Sequence, residues 1–154
     1  LTTHDLSIVK MLFGKLPKIK SYEKYSILKK KIPDISNLHL KFDKIKIDIT
    51  NSWLNPTKVR LIQIIGKKKM LCFNEMNLDT PIQIFNQYAK YPELDFFDKK
   101  FLKSKALIYK GKSKNIKLHC DSALNNEIRS FFSNKEILTD IKLAKEILLF
   151  LKKI

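Results

Sequence analysis

The chain has 154 residues, enough for one domain with a core of its own, and a hydrophobic content of 44% excludes a disordered polypeptide. Its formal net charge of +16 suggests a nucleic-acid partner, but only Arg60 and Arg129 are arginines among 31 basic residues, and the lysines are spread along the whole chain. Specific phosphate and base recognition favours the planar guanidinium, so no nucleic-acid partner is expected; no apolar run approaches the roughly 20 residues that span a bilayer, so no membrane partner is expected either.

The first element is a helix over residues 4–13, with Leu6, Val9, Leu12 and Phe13 on one face. Thr3 suits its N-cap, Asp5 its first turn, and Gly14 with Pro17 its stop. Ile19, Tyr22 and Tyr25 then mark an extended stretch with weak alternation. Leu38, Leu40 and Phe42 alternate with Asn37, His39 and Lys41, which predicts a strand with His39 on the open face. Asp43-Lys44 reads as a hairpin turn, and a return strand carries Ile45, Ile47 and Ile49 towards Trp53 before Asn55-Pro56 breaks it. A strand over 59–65 follows, turned by Gly66-Lys67-Lys68-Lys69 into Met70–Phe73. Pro81 opens another over 82–88. After a loop with Tyr91-Pro92, residues 106–109 and 115–119 predict a last hairpin around Gly111.

Two helices close the order. One starts near Ser122 and carries Leu124, Ile128, Phe131 and Phe132. The other is capped by Thr139, has Asp140 in its first turn, and shows Ile141, Ala144, Ile147, Leu148 and Leu151 on its buried face. A helix, a run of meandering strands and then two helices predict an α+β fold, a mainly antiparallel β-sheet with helices packed on one face, in a single domain over 1–154.

Cys72 and Cys120 form no metal or redox motif, and His119-Cys120 lacks further ligands at metal spacing, so no metal is expected. With no signal-peptide pattern, a reducing cytoplasm is the expected compartment. The chain has three glycines, Gly14, Gly66 and Gly111, and no G-x-G-x-x-G or P-loop, so nothing in it cradles a dinucleotide phosphate.

Three segments carry a resemblance. They are His4-Asp5-Leu6-Ser7-Ile8 with Met11–Gly14; Ser52-Trp53-Leu54-Asn55-Pro56 with Lys58-Val59-Arg60, Gly66 and Lys68-Lys69-Met70; and Ala123–Glu127 with Phe131-Phe132, Leu138-Thr139-Asp140 and Ala144. In that order they resemble the C-terminal domain of the Gfo/Idh/MocA oxidoreductases, the glucose–fructose oxidoreductase and inositol dehydrogenase family, whose fold is like the C-terminal domain of glyceraldehyde-3-phosphate dehydrogenase. The middle segment is the most specific. The chain departs from the family at Ser7, where many members have aspartate, and in the short turn after Phe132.

The resemblance implies a substrate-side, C-terminal half of an NAD- or NADP-dependent oxidoreductase acting on a sugar or sugar nucleotide. An N-terminal Rossmann domain, absent from this chain, would hold the cofactor, and the fragment alone would be inactive. It also implies a homodimer or homotetramer through the open sheet face. His4 falls at the position of the family's catalytic histidine, which handles the hydroxyl proton. The alternative is a non-catalytic self-association module derived from the same family.

The remaining candidates keep two readings each. Asp5 either orients His4 or a sugar hydroxyl, or is a first-turn helix acid. Trp53 either stacks on a sugar or nicotinamide face or belongs to a core. Lys58 and Arg60 either bind a diphosphate or acidic sugar, or line a solvated strand face. The Gly66–Lys69 segment reads as a charged turn rather than an anion nest.

Overall fold

The computed structural model describes residues 2–90, 107–118, 122–133 and 140–153. It is a mixed α+β chain with two antiparallel sheets in two compact units, one of residues 1–56 and 124–154, the other of residues 57–123. The meandering strands therefore divide close to Asn55-Pro56, where the backbone leaves strand geometry.

The first unit starts with α1 (Thr2–Phe13), which buries Leu6 and Val9 and half-buries Phe13. The helix already includes Thr3, so that residue lies in its first turn rather than capping it. Leu12 is 53% exposed and falls off the buried stripe. Gly14, at φ +73°, ends the helix, its N–H donating to the Lys10 carbonyl at 2.8 Å; a side chain there would face the left-handed penalty.

Three strands follow in the order β1 (Lys18–Tyr25), β2 (Ile35–Phe42), β3 (Ile45–Ser52). A register shift between Ile19 and Ser21 pairs Ile19 with Leu40 and Tyr22 with Leu38. That bulge puts both residues on the core face despite their odd spacing, which is why alternation in β1 is weak in the sequence. The two-residue turn Asp43-Lys44 joins β2 to β3, with Asp43 at φ +53°.

The third helix of the chain, α3 (Ile141–Leu151), is capped by Asp140, whose carboxylate accepts the Leu143 N–H at 2.8 Å. Asp140 is thus the cap itself; Thr139 lies outside the described residues. Its buried stripe is Leu143, Ile147, Phe150 and Leu151, while Ile141 and Leu148 are exposed. Helices α1 and α3 meet through a Lys10–Glu146 ion pair of 2.8 Å and close over Leu38, Leu40 and Ile49 of the sheet. The core thus sits between two helices and one sheet face, leaving His39, Lys41 and Asp48 on the other. The helix α2 (Ala123–Phe132) carries Leu124, Ile128, Phe131 and Phe132 exposed; among the described residues it packs against none of the other elements of this unit.

The second unit is a four-stranded antiparallel meander, β4 (Leu61–Ile65), β5 (Met70–Asn74), β6 (Ile82–Lys90) and β7 (Leu107–Ile116). The expected hairpin around Gly111 is not formed: β7 runs straight through it. Phe85 pairs with Ser113 and Gln87 with Lys110, so an extra residue of β7 bulges opposite Asn86, and Asn86 Nδ2 donates to the Lys112 carbonyl at 2.9 Å. Glycine is here because of a close backbone approach, not a turn. The register places Ile62, Ile64, Leu71, Phe73, Ile82 and Ile84 on one face, with Gln63, Cys72, Gln83 and Asn115 on the other. The rings of Tyr88 and Tyr109 stack across β6 and β7 at 4.7 Å. The loop expected at Tyr91-Pro92 lies outside the described residues.

Candidate functional site

His4 sits in the first turn of α1 on its exposed side. Its imidazole makes no hydrogen bond to a described residue, while its carbonyl accepts the Ser7 hydroxyl at 2.6 Å. Asp5, next to it, is half-buried and its carboxylate has no ion-pair partner among the described residues. The turn is held to the sheet by one side-chain bond, Asn51 Nδ2 donating to Thr2 Oγ1 at 3.2 Å.

Trp53 follows β3 and is 74% exposed, which excludes the core reading for its indole. Its backbone N–H donates to the Asp34 carbonyl at 2.9 Å, tying it to the start of β2. Trp53 lines a depression of about 110 Å³ together with Thr2, Tyr22, Asp34, Ser36 and Asn51; His4 and Asp5 are not part of its wall.

Lys58 and Arg60 belong to the second unit. Lys58 is exposed and its ammonium has no partner among the described residues. Arg60 Nη1 donates to Glu75 Oε1 at 2.7 Å, with both side chains nearly half exposed. That ion pair satisfies part of the guanidinium fork. His4, Asp5 and Trp53 thus share one unit, and Lys58 and Arg60 the other.

Three groups escaped sequence reasoning. Asp34 is 8% exposed, accepts the Ile27 and Leu28 N–H groups on Oδ2 at 2.7 and 2.8 Å, and so organises the loop between β1 and β2. The only signal for it is an aspartate after a proline, Pro33-Asp34, just ahead of a strand. Asp48 lies opposite His39 and bonds its Nδ1 at 2.6 Å, a pairing that follows from the hairpin register once the turn is placed. Glu23 accepts the Tyr25 hydroxyl at 2.9 Å; this bond first, and the carboxylate's charge second, raise the Tyr25 pKa. The turn after β4 is tight, Gly66 N–H donating to the Lys69 carbonyl at 2.9 Å, as a charged hairpin turn requires.

Among the described residues no group of three or more metal-ligating side chains converges, and His119 and Cys120 lie outside them. No helix among them is long and apolar enough to cross a membrane. The three glycines end a helix, open a turn and admit a bulge. Compared with known proteins, the chain matches no family model, no curated protein and no solved structure.

Proposed function

We propose that this chain is the substrate-side, C-terminal domain of an NAD- or NADP-dependent oxidoreductase acting on a hydroxyl of a sugar or sugar nucleotide, in the cytoplasm. The cofactor would be held by a Rossmann domain outside these 154 residues, and its part would be to take up the hydride. The reading draws on the three ordered segments from His4, Ser52 and Ala123, and on an α+β architecture compatible with them.

The observation that carries it is the Asn51–Thr2 hydrogen bond. It seats the first turn of α1, with His4 exposed on it, at the end of β3, and Thr2 of that turn lines one depression with Trp53. In this role the His4 imidazole accepts the hydroxyl proton. A side chain within hydrogen-bond reach of the reacting hydroxyl can act as its general base. Asp5 orients His4 or a sugar hydroxyl. Lys58 and Arg60, in the second unit, bind an anionic group, Arg60 by exchanging Glu75 for it.

The full-length protein containing this chain is expected to quench or shift the fluorescence of reduced nicotinamide dinucleotide; no change on titration removes the enzyme reading. A second reading, a non-catalytic self-association module, is favoured by the apolar face of the β4–β7 sheet, where none of Ile62, Ile64, Leu71, Phe73, Ile82 and Ile84 is fully buried among the described residues. It predicts a stable homodimer or homotetramer by sedimentation together with no dinucleotide response. In the oxidoreductase the same face would serve oligomerisation.

A further inference from the structure

The loop between β1 and β2 exposes side chains that the proton chemistry of His4 does not use. Ile27, Leu28 and Ile32 are 64, 74 and 53% exposed, and Lys29-Lys30-Lys31 lies between them, exposed as well. Residues 24–33 contain no aspartate or glutamate, and none of the three ammoniums has an ion-pair partner among the described residues. The backbone beneath them is pinned. The buried Asp34 carboxylate accepts the Ile27 and Leu28 N–H groups, the Asp34 N–H donates to the Tyr25 carbonyl at 2.8 Å, and the Ile32 N–H donates to the Lys29 carbonyl at 3.2 Å. These bonds fix the loop with its aliphatic side chains in solvent. Lys31 stands at φ +73°, where glycine would be unstrained, so the chain keeps an ammonium at a position that disfavours any side chain.

We infer that this loop docks on an anionic lipid surface, with Ile27, Leu28 and Ile32 entering the headgroup boundary and the lysines lying against lipid phosphates and carboxylates. Stable attachment to a bilayer surface takes two signals, an apolar one and a basic one, and the loop carries both within six residues. Such a contact is peripheral and needs no spanning helix, of which the described residues hold none. The residue types favour lipid over a macromolecular partner. Protein interfaces concentrate tryptophan, tyrosine and arginine and are poor in lysine, and single-stranded nucleic acid stacks on aromatic rings. Residues 26–33 contain none of those three types and no other aromatic. An acyl-chain boundary accepts any aliphatic side chain, and charged headgroups need only the point charge of an ammonium. The net charge of +16 adds attraction to the same surface. The inference stands apart from the oxidoreductase reading and uses none of its residues.

The test is sedimentation of the full-length protein containing this chain with lipid vesicles. It is expected to pellet with phosphatidylcholine vesicles holding about 30% phosphatidylserine at about 0.1 M salt, and to stay in solution with phosphatidylcholine alone. Ile27→Ser with Leu28→Ser should weaken binding roughly tenfold or more at an unchanged melting temperature, because both side chains are exposed. Lys29→Gln with Lys30→Gln should weaken it by roughly the same factor. Lys67→Gln with Lys68→Gln removes the same charge from the turn after β4 and should leave binding within about twofold of the parent. The inference is overturned if the protein pellets with neither vesicle, or if the Ile27/Leu28 variant binds as the parent does. It is equally overturned if the two lysine pairs weaken binding alike, which would mean net charge alone, or if poly-L-glutamate or duplex DNA is bound and the anionic vesicles are not.

Discussion

Gly111 lies against Asn86 so closely that a Cβ built on it would stand 2.2 Å from the Asn86 carbonyl oxygen. The obstacle is backbone, held in place by the β6–β7 ladder, so it cannot rotate away as a side-chain tip would. Gly111→Ala is expected to destabilise the second unit by about 1–3 kcal/mol, the range for overpacking. Urea unfolding checks this; an unchanged midpoint would mean that β7 turns at Gly111 after all.

Leu38 and Leu78 are the same residue in opposite settings, 1% and 88% exposed. Leu38→Ala is expected to cost about 2–5 kcal/mol, because the cavity opens between two helices and a sheet that relax only partly. Leu78→Ala is expected to change stability by less than about 0.5 kcal/mol. The pair of denaturation curves tests where the core sits.

Asp140 accepts the Leu143 N–H at the start of α3. Asp140→Ala leaves that donor without its cap, at an expected cost of about 0.5–2 kcal/mol, whereas Asp140→Ser keeps an acceptor and should recover most of it. Thermal melts of the two variants distinguish a cap from a first-turn charge effect.

The Tyr25 hydroxyl donates to Glu23, and that bond holds the phenol pKa above the usual tyrosine value. A raised folded-state pKa means the bond's contribution is fully present below the unfolded pKa and is lost as pH rises through the folded one, in the alkaline range. Glu23→Gln is expected to bring Tyr25's titration back towards the ordinary value. NMR of the labelled tyrosine ring measures it directly.

Much of the first sheet was readable in advance because strict alternation around Asp43-Lys44 leaves one register in which Leu38, Leu40, Ile47 and Ile49 share a face. Where several apolar residues run together, periodicity lost its phase: residues 147–151 are all apolar, and the stripe of α3 centres on Ile147 and Phe150 rather than Ile141 and Leu148. Gly111 misled for a different reason. A glycine among lysines and a serine looks like a turn, and only the tertiary approach of Asn86 shows that it marks a bulge. Of the candidate site, His4 was visible only through its position in a resembling segment, since a lone histidine in a helix turn carries little chemistry. Asp34 was invisible because its partners are backbone N–H groups six and seven residues away in a loop, which no side-chain pattern announces.

The role proposed for the His4 imidazole is to take the proton from a sugar hydroxyl. Its most direct test is sugar-dependent nicotinamide reduction by the full-length protein, compared with its His4→Ala variant at equal melting temperature. Loss of a general base predicts a drop in turnover of about 10²–10⁴-fold with the KM for the sugar little changed. Equal turnover in the two proteins would contradict the account.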